Sequence, residues 1–133
     1  MSDTQRNGET GPKRIAVIMA HPDDAEFGCG GTVAKWAQEG HYIMYVLLTS
    51  GDKGSDDPTM TPDRLMTMRE AEQRAACGVL GVKEVHFLRK LDATLAPDLD
   101  LRRDMTRVIR QLKPDVVVCQ DPMQRYSGQE YIN

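Results

Sequence analysis

Six consecutive residues, His21-Pro22-Asp23-Asp24-Ala25-Glu26, carry one imidazole and three carboxylates. The fixed φ of Pro22 forces them into a turn, where like charges crowd together unless a cation joins them. Neutral imidazole and carboxylate oxygen suit Zn2+ and related divalent ions, and the i, i+3 spacing lets His21 and Asp24 converge on one point. Asp23 is then a free carboxylate beside the metal, placed to take a proton from bound water. A blander reading has the acids complementing the dipole of a following helix while His21 packs at a sheet edge. It explains Glu26 well and the His-Asp-Asp cluster poorly.

Such residues act only if the surrounding elements bring them to one place. Residues 15–20 form a continuous apolar run rich in β-branched side chains, as expected of a strand buried on both faces. Residues 42–49, 85–88 and 116–119 read as three further buried strands. Between them, residues 32–39 predict a short helix stopped by Gly40, and residues 61–80 a second, with Pro62 at its first position and Gly81 closing it. In a third, Leu101, Met105, Val108, Ile109 and Leu112 recur at helical spacing with Arg103, Arg107 and Arg110 opposite, and Pro114 stops it. Strands alternating with helices predict an α/β, Rossmann-like three-layer fold with a mostly parallel sheet. Ligands bind at the carboxyl ends of such strands, which is where the acidic turn lies. Residues 1–13, polar and without periodicity, read as a flexible leader to a domain over 14–133.

A chain of 133 residues has room for one domain. Seventeen basic against twenty acidic side chains leave a net charge of -3, with no basic excess to grip nucleic acid. No apolar run is long enough for a membrane span. The odd set Cys29, Cys77 and Cys119, with no signal-like start, points to a reducing cytoplasm. Gly28-Cys29-Gly30-Gly31 suggests a dinucleotide-binding Rossmann turn, but the full spacing needs glycine at Val33, and three neighbouring acids would repel a pyrophosphate. These glycines are expected instead to let helix pack closely on strand, with the cysteines as small packing residues and His41 and His86 as surface and packing residues.

Ala20-His21-Pro22-Asp23-Asp24-Ala25-Glu26, followed by Gly28-Cys29-Gly30-Gly31-Thr32, resembles the AHPDDxE signature of the PIG-L/LmbE-like zinc deacetylases. The likeness continues through Thr49-Ser50-Gly51, Arg69-Glu70-Ala71-Glu72, Leu80-Gly81-Val82, Phe87-Leu88 and Pro114-Asp115-Val116-Val117. It implies a hydrolase that removes N-acetyl groups from N-acetylglucosaminyl-type small molecules, with zinc on His21 and Asp24 and Asp23 as general base. Family members place a third zinc ligand in a His-Pro-Asp-His segment directly after the Tyr-Ile-Asn with which this chain closes, so the domain is expected to continue. The alternatives are a non-catalytic fragment or metal-binding module of the same fold and, least supported, a nucleotide-binding domain. Oligomeric state and the choice between zinc and another divalent ion stay open.

Four further residues are candidates for substrate binding. On the second helix, Leu65, Met68, Ala75, Ala76 and Val79 mark an apolar stripe with Glu72 near its middle and Arg69 at its flank. Arg69 either pairs with Glu72 or, by the family likeness, reaches substrate hydroxyls, with Glu26 and Glu72 supporting the site from behind. Asp92, in the loop after the third strand, matches a family aspartate associated with sugar binding; a solvated loop acid is the alternative. Asp121 and Arg125, after the fourth strand, are placed to face the sugar or to serve the local turn.

Overall fold

The computed structural model describes residues 11 to 124. Strands and helices alternate as β1 (Arg14–Met19), α1 (Asp24–Gln38), β2 (Tyr42–Thr49), α2 (Pro62–Leu80), β3 (Glu84–Lys90), α3 (Leu99–Leu112) and β4 (Val116–Cys119). All strand pairs are parallel, in the order β3-β2-β1-β4. The α/β, Rossmann-like architecture expected from the alternation is therefore present, with every described strand parallel.

Side-chain alternation along the central strands divides the core in two. Ile15, Val17, Met19, Ile43, Tyr45 and Leu47 point to one face and pack with residues of α1 and α2. Ala16, Ile18, Met44 and Val46 point to the other and meet Leu112, Met105 and Val108 of α3. The chain runs outward from β1 to β3, then returns to place β4 on the other side of β1. Order therefore reverses beside β1, and the turn that leaves β1 faces the crevice this reversal opens. No helix among the described residues is long and apolar enough to cross a membrane.

Several local expectations are corrected. The first helix begins at Asp24, not at residue 32, and kinks at Cys29 (φ -149°, ψ 19°), so the glycine run lies inside it. A side chain added at Gly28 or Gly31 would meet open space, and only Gly30 is buried; close helix-on-strand packing does not account for the other two. On α2 the buried residues are Leu65, Glu70, Gln73 and Cys77, whereas Glu72 is exposed and Val79 is 87% exposed. The expected apolar stripe lies about a third of a turn from the face that docks, and the two share Leu65. That face is polar because α2 lies over loops whose own polar groups need partners. At the sheet's edges, β4 exposes Val116, Val117 and Cys119, since among the described strands only β1 pairs with it, and His86 is half-exposed and bonded to Glu84.

Glu70, only 6% exposed, illustrates the pairing. Its Oε1 accepts from Ser50 Oγ at 2.7 Å and Arg89 Nε at 2.9 Å, and its Oε2 from Arg89 Nη2 at 2.9 Å. It thereby joins the carboxyl ends of β2 and β3. The Arg89 hydrogen bonds, opposed in part by burial and aided by Ser50, hold its carboxyl below the usual glutamate value of 4.5. The folded state thus binds this proton less readily than the unfolded one, so the pair's stabilisation is full above pH 4.5 and fades as pH falls through the lowered value. In Glu70→Gln the loss of stability as pH falls from 5 to 3 should be shallower than in the wild type. Urea unfolding across that range measures it; an unchanged slope would contradict the assignment.

Candidate active site

The site is built by three loops at the carboxyl ends of β1, β2 and β3, with Gln120 after β4 closing one side. Ala20 at the end of β1 is pinned first. Its carbonyl accepts from Thr49 N and Thr49 Oγ1, both at 2.9 Å, and its N–H donates to Gln120 Oε1 at 3.1 Å. Gln120 then donates through Nε2 to Asp24 Oδ2 at 3.1 Å, so β4 and the acidic turn are tied together. Nothing in the sequence marks Gln120, a lone glutamine after a strand.

Within the turn, Asp24 Oδ2 also accepts from His21 N at 2.9 Å and lies 3.2 Å from His21 Nδ1. The other ring nitrogen, Nε2, lies 3.1 Å from Asp92 Oδ1. Asp92 is fully buried, and its carboxylate also accepts from Lys53 N and Ala93 N, both at 2.9 Å. This corrects the expectation of a loop acid that faces a sugar: Asp92 holds His21 from beneath and links the loops after β2 and β3 to it. The Asp24 hydrogen bond raises the His21 pKa most, burial opposes it, and the charges of Asp24 and Asp92 add to the rise.

The geometry tests whether a cation fits. When the neutral ring carries its proton on Nε2, 3.1 Å from Asp92 Oδ1, Nδ1 is left bare toward Asp24, and two electron-rich atoms 3.2 Å apart then call for a proton or a cation between them. His21 and Asp24 thus fit as two ligands of one ion. Among the described residues no group of three or more His, Cys, Asp or Glu side chains is arranged to hold a metal.

Asp23 is brought beside this pair with its side chain 60% exposed, its Oδ2 3.3 Å from Arg69 Nη2. Arg69 also donates to Pro22 O at 3.0 Å and Gly51 O at 3.1 Å, so it braces the turn after β1 against the loop after β2. Its ion pair is with Asp23, not with Glu72, which is exposed. Glu26 does support the turn from behind: its Oε1 accepts from Gln73 Nε2 at 2.6 Å. Asp121 is exposed and accepts from Met123 N at 2.8 Å, as an aspartate in a turn does, and Arg125 lies outside the described residues. His41 sits at the far end of the sheet, its Nδ1 accepting from Lys13 N at 2.9 Å. The three thiols are free, and burial pushes those of Cys77, to about 11, and Cys29 upward.

A parallel α/β sheet with a histidine-carboxylate turn at its point of reversal defines a Rossmann-like domain of the LmbE-like deacetylase fold. Residues 16–130 match the PIG-L family, described as GlcNAc-PI de-N-acetylase, and the chain belongs to that family. It is 34% identical over 116 residues to the diacetylchitobiose deacetylase of Thermococcus kodakarensis, covering 87% of this chain and 43% of that protein. It superposes on the N,N'-diacetylchitobiose deacetylase of Pyrococcus horikoshii with a TM-score of 0.84 at 33% identity, again over 87% of this chain and 43% of the other. A 4-carboxy-2-hydroxymuconate hydratase from Pseudomonas putida shares the fold with a TM-score of 0.73 at 28% identity, over 84% of this chain and 50% of the other. The chain spans about half the length of these proteins.

Gly51 makes the Arg69 brace possible. It has φ +66°, and a Cβ there would stand 2.0 Å from Arg69 Nη1. Gly51→Ala is expected to dislodge the guanidinium and to cost about 1 kcal/mol or more, a fall in Tm of roughly 4 °C. Thermal unfolding checks this, and an unchanged Tm would show the brace to be dispensable.

Proposed function

We propose that the protein is a zinc-dependent hydrolase that removes an N-acetyl group from an N-acetylglucosaminyl-type small molecule. The observation that carries this reading is His21, held through Nε2 by buried Asp92 so that Nδ1 and Asp24 Oδ2 face one another at 3.2 Å. Those two atoms would hold the zinc, with a further ligand from outside the described residues. When bound, zinc supplies acidification of a water and polarisation of the acyl carbonyl. Asp23, exposed at the mouth and not engaged in capping α1, accepts the water's proton and returns it to the departing amine nitrogen. Arg69 fixes the direction of that carboxylate. Its fork is committed to Pro22, Gly51 and Asp23, so we assign it to the base and not to a sugar hydroxyl.

The deacetylases among the similar proteins support an N-acetylated sugar or conjugate as substrate, and the free thiols support a reducing, cytoplasmic setting. The hydratase on the same fold makes the reaction itself the thing to test. Acetate release from N,N'-diacetylchitobiose by the full-length protein, with its metal content measured in parallel, is the direct assay. Bound zinc without acetate release from any N-acetylglucosaminyl compound would favour a binding module or a hydratase.

Asp23→Asn is expected to keep the metal and lose about 10²–10⁴-fold in kcat; undiminished turnover removes Asp23 as base. Asp92→Asn is expected to weaken zinc binding about 10–100-fold, because the imidazole loses its anionic anchor. Competition with a chromogenic chelator reads this without recourse to activity, and wild-type affinity would assign Asp92 to folding alone.

A further inference from the structure

Asp23 occupies the N-cap of α1, where an aspartate ordinarily takes extended backbone and turns its carboxylate onto the first N–H groups of the helix. Here it has φ 73° and ψ -18°, in the left-handed region, and its side chain makes no capping bond. Aspartate enters that region more readily than most L-residues, but it remains uncommon and persists where surrounding bonds hold it. A capping Asp23 would direct its carboxylate to the N–H of Ala25 or Glu26, away from substrate.

One side chain is built to prevent this. Gln73 of α2, fifty residues away, is 3% exposed. Its Oε1 accepts the Asp23 N–H at 2.9 Å, and its Nε2 donates to Glu26 Oε1 at 2.6 Å. The first bond fixes the peptide plane between Pro22 and Asp23, and with it φ at Asp23. The second ties the same amide to the first turn of α1, so the cap residue and the helix cannot rotate against each other. The amide offers an acceptor on one side and a donor on the other: a glutamate would set a carboxylate against Glu26, and an apolar side chain would abandon both partners.

We propose that Gln73 is a positioning residue that holds Asp23 in left-handed backbone, so that the carboxylate faces substrate instead of capping α1. This rests on reading Asp23 as the general base. In the full-length protein, a crystal structure of Gln73→Met should show Asp23 with negative φ and its carboxylate bonded to the Ala25 or Glu26 N–H. With diacetylchitobiose as probe, kcat should fall about 10–100-fold while KM moves less than about twofold.

Gln73→Glu alone should lose a similar factor. Combined with Glu26→Gln, it exchanges donor for acceptor across the same contact and should regain kcat to within about threefold of the wild type. A merely structural role would lower Tm in these variants and leave kcat of the folded protein unchanged, and that result overturns the proposal. Should Gln73→Met fail to fold, the exchanged pair decides: no recovery over Gln73→Glu overturns it. If the wild-type protein releases no acetate, the functional reading falls, while positive φ at Asp23 in the Gln73→Met crystal structure would still overturn this proposal on its own.

Discussion

The carboxylate of Asp92 is fully enclosed, and the groups around it come from three different loops: His21 after β1, Lys53 after β2 and Ala93 after β3. A buried carboxylate left without such donors would be strongly destabilising, so the loops are bound to arrive together. Their convergence sets the position of His21, and through it that of Asp24. Because the histidine is gripped by one nitrogen, the other is presented in a fixed direction beside a carboxylate. The rest of the site is arranged around that presentation: Gln120 steadies Asp24, and Arg69 steadies Asp23.

The second organising feature is the polar face of α2. A helix that packs on a sheet normally buries an apolar stripe. This one buries Glu70 and Gln73 together with Leu65 and Cys77, and keeps Arg69 mostly covered. Each polar side chain reaches a different part of the sheet's active edge. Glu70 joins Ser50 to Arg89, Gln73 joins Asp23 to Glu26, and Arg69 spans Pro22 and Gly51. The helix thus supports the loops as much as it closes the core. Membership of the PIG-L family, alongside named deacetylases and one hydratase of similar fold, shows that this scaffold hosts more than one chemistry.

Much of this was legible in the residues. The apolar runs of β1, β2 and β4 named their strands, and Thr61-Pro62 and Gly81 marked the ends of α2, because caps and buried strands are local in origin. His21, Asp23 and Asp24 stood out because their crowding has no easy structural excuse. The start of α1 was missed because it carries three glycines, which lower helix propensity, while packing and the loop before it impose the helix regardless. Periodicity does not reveal the buried face of α2 because it registers apolar side chains, and this face is held by hydrogen bonds.

The sequence by itself determined the alternating α/β order, the acidic turn at the end of the first strand and the chemistry those residue types permit, since each follows from local propensity or from side-chain identity. Only the tertiary structure decided who holds whom. Asp92 belongs under His21, Arg69 beneath Asp23, Gln73 behind the turn, and Glu72 outside altogether. Those pairings join residues forty-six to seventy-one positions apart, and partners at such separation are chosen by strand order and helix rotation, which no local pattern in the chain encodes.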